Sequence, residues 1–303
     1  MEMITLDLHM HSCYSADGEK TPEELMLMAK EIGLRTIALS DHNTPKGIDE
    51  MLQLGKQHQI NVIPAIEFDT LFDDLEVHVL GYNIDYTKEY FQTIQSKLAK
   101  GKQESIIKRL HRLNEYYHLD ITLEEVIAKH GSDQLWSKVI KYALEDPRYL
   151  HIKEFDPYRE GGSRCDPQPV NFYWDLCSAG TPCYVRIEYP SLEETVKQIH
   201  AGGGIAIIAH PWRNFYQQDE RLKRAIALGI DGVEAFSNYH EPHHNAYYED
   251  FCQQYQIIMT CGSDYHGSFK PSIRMGVFGY TKPNIEDVEK AFLHAIENVK
   301  VSK

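Results

Sequence analysis

Six short apolar segments of this chain each lead into or carry a histidine or a carboxylate, and that recurrence constrains the fold more than any other feature. Ile4 to His9 alternates as a strand does and leads on to His11. Arg35 to Ser40 runs into Asp41-His42, Asn61 to Ile66 into Glu67, and Glu76 to Gly81 carries His78. Ile205 to Ala209 runs into His210, and the 257–262 segment into Asp264 and His266. Helical signals lie between them. Thr21-Pro22-Glu23-Glu24 reads as a helix start, with Thr as N-cap, Pro at the first helical position and Glu24 three residues after the cap. That helix is expected to reach about Ile32 and end at Gly33, and a second to cover roughly 45–58. After Ser191 the rhythm resumes with helices near 191–201, 219–228 and 243–255 around strands 205–209, 232–236 and 257–260. Val277-Phe278-Gly279 and a helix at 284–297 close the chain. Strands that alternate with helices predict parallel pairing. About seven such units predict a (β/α) barrel, interrupted once.

The interruption lies between His78 and His210. Residues from about 86 to 146 read helical, with polar and basic stretches such as Lys97-Leu98-Ala99-Lys100. From 147 to 183 the pattern is irregular and rich in Pro, Gly and aromatic residues. The expected organisation is a barrel made of 1–85 and 191–303, with 86–190 as an inserted, mostly helical subdomain. The opening MEMITLDLHMH lacks the basic region and apolar run of a signal peptide. No apolar stretch approaches the roughly 18 residues needed to span a bilayer. The six cysteines form no CxxC pair and are expected to be reduced thiols. A cytoplasmic protein with no membrane partner is expected. A net charge of −14 argues against a general nucleic-acid surface and against stable duplex binding. It does not argue against a phosphorylated small molecule, because bound cations invert the sign of an acidic site.

Nine of these residues fall at or near the C-terminal ends of the expected strands, the face on which β/α barrels build active sites. They are His9, His11, Asp41, His42, Glu67, His78, His210, Asp264 and His266. Imidazoles and carboxylates together suit Zn, Mn or Fe. In His9-Met10-His11 the two imidazoles project from one face of an extended strand, and Asp264-Tyr265-His266 repeats that spacing. Glu67 can bridge two ions through its two oxygens, and a pair of ions roughly 3.5–4 Å apart clamps an in-line phosphoryl displacement. Each motif alone is weak; the convergence is not.

The combined motifs DLHMHSCYSADG, ALSDHNT, PAIEFD, VHVLGY, IAHP and CGSDYHG resemble the PHP (polymerase and histidinol phosphatase) family over about 1–85 and 190–297. The resemblance implies a distorted (β/α)7 barrel and a trinuclear metal site holding two or three divalent ions (Mn, Fe or Zn). It would assign His9, His11, Glu67 and Asp264 to one ion, Glu67, His78 and His210 to a second, and Asp17, His42 and His266 to a third. Some relatives carry His where Asp17 stands, and the Asp is more like the nucleotide-acting branch. His266 or His42, where not engaged by metal, would protonate the leaving group, and Glu67 would be essential to catalysis.

The implied reaction is hydrolysis of phosphate monoesters of nucleotides, of the AMP or 3′,5′-bisphosphate type, or of short 5′-phosphorylated oligonucleotides. Arg213, Arg274 and Arg186 are candidate phosphate clamps, and His240, after the 232–236 strand, is a candidate substrate contact at the rim. The branch with a roughly hundred-residue insertion resembles this layout, although its usual Gly-Arg-Pro-His segment is absent. Arg159, Arg164, Tyr158, Phe172, Tyr173 and Trp174 stand in that region, and their rings are expected to pack the insertion or stack on a nucleobase. The alternatives are a phosphatase of another small metabolite, such as histidinol phosphate or a sugar phosphate, and a non-catalytic metal-stabilised PHP module.

Overall fold

A computed structural model describes residues 4–132, 134–282 and 284–301. In chain order the elements begin β1 (Leu6–Met10), α1 (Pro22–Glu31), β2 (Thr36–Leu39), α2 (Ile48–His58), β3 (Asn61–Phe72) and β4 (Leu75–Tyr82). Next come α3 (Glu89–Tyr117), α4 (Leu123–His130), α5 (Leu135–Glu145), α6 (Gln168–Leu176) and α7 (Leu192–Ala201). The chain continues through β5 (Ile205–Ile208), α8 (Trp212–Phe215), α9 (Asp219–Ala227), β6 (Gly232–Ser237), α10 (Pro242–Tyr255), β7 (Ile258–Gly262) and α11 (Ile285–Val301). The capping box expected at Thr21 is present, with reciprocal bonds to Glu24, and Gly33 takes φ 83° just beyond the helix. No helix among the described residues is long and apolar enough to cross a membrane.

The seven strands form one sheet in sequence order. It nearly closes into a barrel, since the Tyr265 segment after β7 bridges in parallel to Met10 at the end of β1. Strands β1 to β3 pair in parallel, as do β5 to β7. The expectation of uniformly parallel strands fails at β4, which runs antiparallel to both β3 and β5. The cause is local. Strand β3 does not stop at Glu67 but runs on to Phe72 and turns back at once through Asp73 and Asp74, whose φ values are 52° and 62°. Two successive positive-φ residues make the tight hairpin turn that matches strand twist, so no crossover helix intervenes.

The strand interiors are buried on both faces. Leu6, Leu8 and Met10 of β1 are fully buried, and Met10 packs with Leu25, Met26 and Ala29 of α1. The alternate positions Asp7, His9 and His11 are equally buried and must therefore point to the opposite face. Val277 to Gly279 forms a turn rather than an element, with Val277 half exposed.

The chain divides into two compact units: residues 1–95, 189–268 and 273–303 in the first, and 96–188 with 269–272 in the second. The second unit has its own core, in which Leu113, Val126, Ile140, Phe155 and Phe172 are almost wholly buried. The 147–183 stretch, which reads as irregular, contains α6. Tyr158 and Phe172 sit in that core, so packing decides their role and stacking on a base is excluded for both. Arg159 bonds the carbonyls of Leu144, Tyr149 and Ile152, and Arg164 makes two bonds to Asp175, so both work as internal braces.

Candidate metal centre

Asp7, His9 and His11 occupy one face of β1 and its extension, two residues apart each time. His9 Nε2 lies 3.2 Å from Glu67 Oε2 and 3.2 Å from Asp264 Oδ1. His11 Nε2 lies 3.1 Å from each of the same two oxygens and 3.1 Å from His9 Nε2. Five of the six separations among these four atoms are thus 3.1–3.2 Å, a spacing compatible with ligands each roughly 2.0–2.2 Å from one shared ion. Glu67 Oε2 is fully buried and has no hydrogen-bond donor aligned on it. A buried carboxylate oxygen in that state is costly, and a cation at the centre of the four atoms would satisfy it.

The other carboxylate oxygen of Glu67 faces a second group. Oε1 lies 3.0 Å from His78 Nδ1 and 3.1 Å from His210 Nε2. His78 reaches this place because β4 is antiparallel. Its cross-strand partner is Asp69, and directly opposed residues share a face. Asp69 shares that face with Glu67, two residues away. In an antiparallel strand the early residues lie at the end where parallel strands finish, so His78 joins the others from the first half of its strand.

The third group is His11, Asp17, His42 and His266, whose ligand atoms lie within 4.8 Å of one another. Asp17 Oδ2 stands 3.3 Å from His266 Nε2 and 3.8 Å from His42 Nε2, while its Oδ1 is buried without a hydrogen-bond partner. The imidazoles crowd together, with His11 stacked 4.0 Å from His266 and 4.6 Å from His42 between centroids. All nine candidate ligands named from the sequence motifs therefore fall into three adjoining groups, with Glu67 common to two of them and His11 to two, and Asp69 forms a fourth group with His42 and His78. His42, His78 and His210 are each 15% exposed at the side chain, against 0% for His9 and His11, so the centre opens to solvent on the side of the former three.

The electrostatics match this crowding. Burial alone would lower the pKa of His9, but Glu234, Glu67 and Asp264 outweigh it and hold it well above the usual imidazole range. The same contest, against hydrogen bonds to Asp264 and Glu67, pushes His11 up to about 9. Burial would raise Glu67, yet His42, His9 and His78 hold it well below the usual carboxylate range. Asp17 is likewise held down against burial by His266 and His42.

The ring nitrogens that face away from the centre are tied down. His266 Nδ1 lies 2.7 Å from the Asp264 carbonyl, and His11 Nδ1 lies 3.0 Å from Ser15 Oγ. Both arrangements turn Nε2 toward the neighbouring carboxylates, the orientation a ligating nitrogen needs. Three residues not named as candidates from the sequence complete the support. Glu234 of β6 is fully buried; its Oε1 lies 2.9 Å from His9 Nδ1 and its Oε2 accepts the His210 backbone N–H at 2.8 Å. Asp69 Oδ1 lies 3.2 Å from His42 Nδ1, and Oδ2 accepts from Asn43. Tyr239 Oη donates to Asp264 Oδ2 at 2.6 Å. A charged residue inside the apolar run Gly232-Val233-Glu234-Ala235-Phe236 was a usable signal; so was Asp69, two residues beyond Glu67. Tyr239 gave none. Asp41, beside His42, instead accepts from the Ser12 N–H and hydroxyl, both at 2.6 Å, and anchors the β1 loop.

Two ligands have backbones that L-residues seldom adopt: His210 has φ 26° and Asp264 φ 56°. Such positions cost about 1–3 kcal/mol and persist where surrounding bonds hold them. Here the bonds are His210 N–H to Glu234 and Asp264 N–H to the His9 carbonyl at 2.8 Å. Gly262 is also required, since a Cβ there would stand 2.3 Å from His9 Cβ and 2.8 Å from Glu234 Oε1.

Of the remaining candidates, Arg213 lies exposed on α8, three residues after His210, and Arg274 is exposed in the turn before Val277. Arg186 belongs to the second unit, where it pairs with Glu188 at 3.4 Å. His240 is nearly buried, with Nδ1 3.0 Å from the Ala235 carbonyl and its ring stacked on Tyr248.

Residues 7–149 match the PHP domain. This is a PHP-domain protein. The PHP chain is 26% identical over 268 residues to a phosphoribosyl 1,2-cyclic phosphate 1,2-diphosphodiesterase of Eggerthella lenta, covering 87% of this chain and 94% of that one. It is 27% identical over 265 residues to a 5′-3′ exoribonuclease of Haemophilus influenzae, covering 86% and 89%. It is 26% identical over 273 residues to a 3′,5′-nucleoside bisphosphate phosphatase of Chromobacterium violaceum, covering 87% and 88%. Among solved structures, a Bifidobacterium adolescentis chain assigned as a metal-dependent phosphoesterase superposes with a TM-score of 0.69 at 23% identity, over 94% of this chain and 96% of that one. That likeness establishes the PHP fold.

Proposed function

We propose that this PHP protein is a metal-dependent phosphoesterase that hydrolyses phosphate monoesters of nucleotides, AMP or 3′,5′-bisphosphates, or of short 5′-phosphorylated oligonucleotides. The observation that carries the reading is the convergence of six imidazoles and three carboxylates in three adjoining groups joined by one buried glutamate. Two or three divalent ions, Mn, Fe or Zn, fit these donors. His9, His11, Glu67 and Asp264 would hold one, Glu67, His78 and His210 another, and Asp17, His42 and His266 the third. When bound, such ions supply an acidified water and positive charge against the phosphate oxygens.

The chain's own residues do the rest. Glu234, Ser15 and the Asp264 carbonyl hold His9, His11 and His266 with their ligating nitrogens turned inward. Buried walls around His9 and Glu67 exclude bulk water and strengthen each electrostatic contact. His42 or His266, whichever is not engaged as a ligand, delivers a proton to the leaving alkoxide from Nε2. Arg213 and Arg274 are assigned to the substrate phosphate and His240 to the rim. The six free thiols support a reducing, cytoplasmic compartment.

The exoribonuclease and bisphosphate phosphatase relatives support the nucleotide class. A second reading, a small sugar phosphate, is favoured by the cyclic-phosphate diphosphodiesterase of Eggerthella lenta. Release of phosphate, or of mononucleotide from the RNA, tests both on AMP, adenosine 3′,5′-bisphosphate, a short 5′-phosphorylated RNA, a ribose cyclic phosphate and histidinol phosphate, with Mn²⁺ and with a chelated control. Chelator-sensitive release from the nucleotides is expected. Release confined to the sugar or histidinol ester would overturn the nucleotide class, and a metal-loaded protein silent throughout would leave a structural module.

A further inference from the structure

An acidic chain with 31 Lys and Arg against 45 Asp and Glu carries one stretch of opposite sign. Between Lys97 and Arg112, α3 holds six Lys or Arg and a single acid, Glu104. Arg109 is turned inward, its guanidinium 4.8 Å from the Tyr173 ring. Lys97, Lys100, Lys108 and Arg112 are exposed, and successive spacings of three, eight and four residues set them on one side of the helix. From Lys97 to Arg112 the stripe extends roughly 22 Å.

At its C-terminal end the stripe becomes one wall of a cleft of about 690 Å³ wholly within the second unit. Ile107, Lys108, His111, Arg112, Tyr116 and one acid, Glu115, line it from α3, and Pro182, Val185 and Arg186 complete it. Ile107 is 54% exposed and Tyr116 57%, so an apolar floor and an aromatic face stand open between three cations. Lys108 lies 4.0 Å from Glu104 and Arg186 3.4 Å from Glu188, all solvent-exposed. Pairs of that kind contribute at most about 1 kcal/mol and exchange readily for a phosphate.

We propose that this cleft binds the phosphodiester backbone of a short single-stranded oligonucleotide, with Lys108, Arg112 and Arg186 facing phosphates and Tyr116 stacking on a base. The chemistry is that of single-strand sites, a basic track with an aromatic platform and no base readout. Duplex would be held less well, because the platform needs an unstacked base. The proposal rests on the nucleotide reading of the metal centre, which makes an oligonucleotide the occupant considered for this cleft. It reassigns Arg186 to this cleft.

The test is fluorescence anisotropy with the full chain, its metals and a hydrolysis-resistant phosphorothioate oligonucleotide across a salt series. Three phosphate contacts give a slope of log K against log[salt] of about −2, at roughly −0.7 per contact for single strands. Lys108→Gln with Arg112→Gln is expected to weaken binding at least tenfold and flatten the slope by about 1.4. A charge-matched control, Lys141→Gln with Lys153→Gln, alters the same unit away from the cleft and is expected to bind as wild type. Equal loss in both variants, no loss in either, or salt-sensitive self-association of the chain without oligonucleotide binding would overturn the proposal. Oligonucleotide binding together with silence on every nucleotide substrate would support the cleft and sink the nucleotide reading alone.

Discussion

Replacing Glu234 by Gln separates the support of the metal centre from its ligands. The carboxylate accepts two bonds at once, from His9 Nδ1–H and from the His210 backbone N–H. Gln keeps the shape but has only one acceptor oxygen. If that oxygen stays with the His210 amide, which holds φ at 26°, the new NH2 confronts His9 Nδ1. His9 then has two choices. It keeps its proton on Nδ1 and leaves a buried donor without an acceptor, at a cost of about 1–3 kcal/mol. Or it moves the proton to Nε2, satisfies the amide, and can no longer ligate through that nitrogen. Either route falls on the group formed by His9, His11, Glu67 and Asp264. Loss of such a supporting carboxylate typically weakens metal binding by about 10–100-fold, or about 1.4–2.7 kcal/mol. At saturating metal, a 100-fold weaker site loses about 2.7 kcal/mol of ligand-linked stability, roughly 5 °C in Tm for a chain of this length. Metal content per chain, chelator competition and melting curves with and without metal measure this directly. A Glu234→Gln protein with wild-type metal affinity and an unchanged metal-dependent rise in Tm would refute the reasoning.

Glu67→Gln is expected to lower the metal content by at least one ion per chain and abolish phosphate release, because one carboxylate serves two groups; elemental analysis beside an activity assay checks it. Gly262→Ala drives a methyl against His9 and Glu234 and should cost about 1–3 kcal/mol by overpacking together with metal binding, read from melting curves and metal content. Ligation needs a bare His11 Nε2, so protons compete until the pH passes about 9, and metal affinity should rise with pH to that point in chelator titrations. The sign for the metal-free fold is opposite: with its pKa raised from 6.5, His11 contributes stability that is complete below pH 6.5 and lost as pH climbs through 9. His240, chiefly through burial, is pushed down to about 3, so its neutral form is favoured and it costs stability as pH falls below 6.5. From pH 7 to pH 5 that loss is about 2 kcal/mol. His240→Gln should flatten this acid limb in denaturant titrations, and an unchanged limb would remove His240 as its source.

The convergence of the candidate ligands was legible because chain chemistry and strand geometry are local. His9 and His11 are two residues apart on one strand, and Asp264 and His266 repeat the spacing, so period-two alternation alone sends each pair to one side. Apolar runs ending in His or Asp placed the others at strand ends without knowledge of which strands are neighbours. Helix starts such as Thr21 and Ser191 were equally legible, since a cap is a bond between residues three apart.

Other features depend on partners distant in sequence. Glu234 and His9 are 225 residues apart, and only sheet order brings β6 beside the ends of β5 and β7 and so to His9. Strand direction was also out of reach. An apolar run looks the same whichever way it is paired, and the turn at Asp73-Asp74, not the composition of β4, reversed it. That reversal carries His78 to the metal centre from mid-strand. The sequence by itself determined which side chains are available to bind cations and which face of its own strand each occupies. The tertiary structure alone decided which of them lie close enough to share an ion, which carboxylates hold them in place, and that aromatic residues such as Phe172 and Tyr158 serve a core. Ligation and packing are relations among atoms a few ångströms apart, whereas the sequence records distance only along the chain.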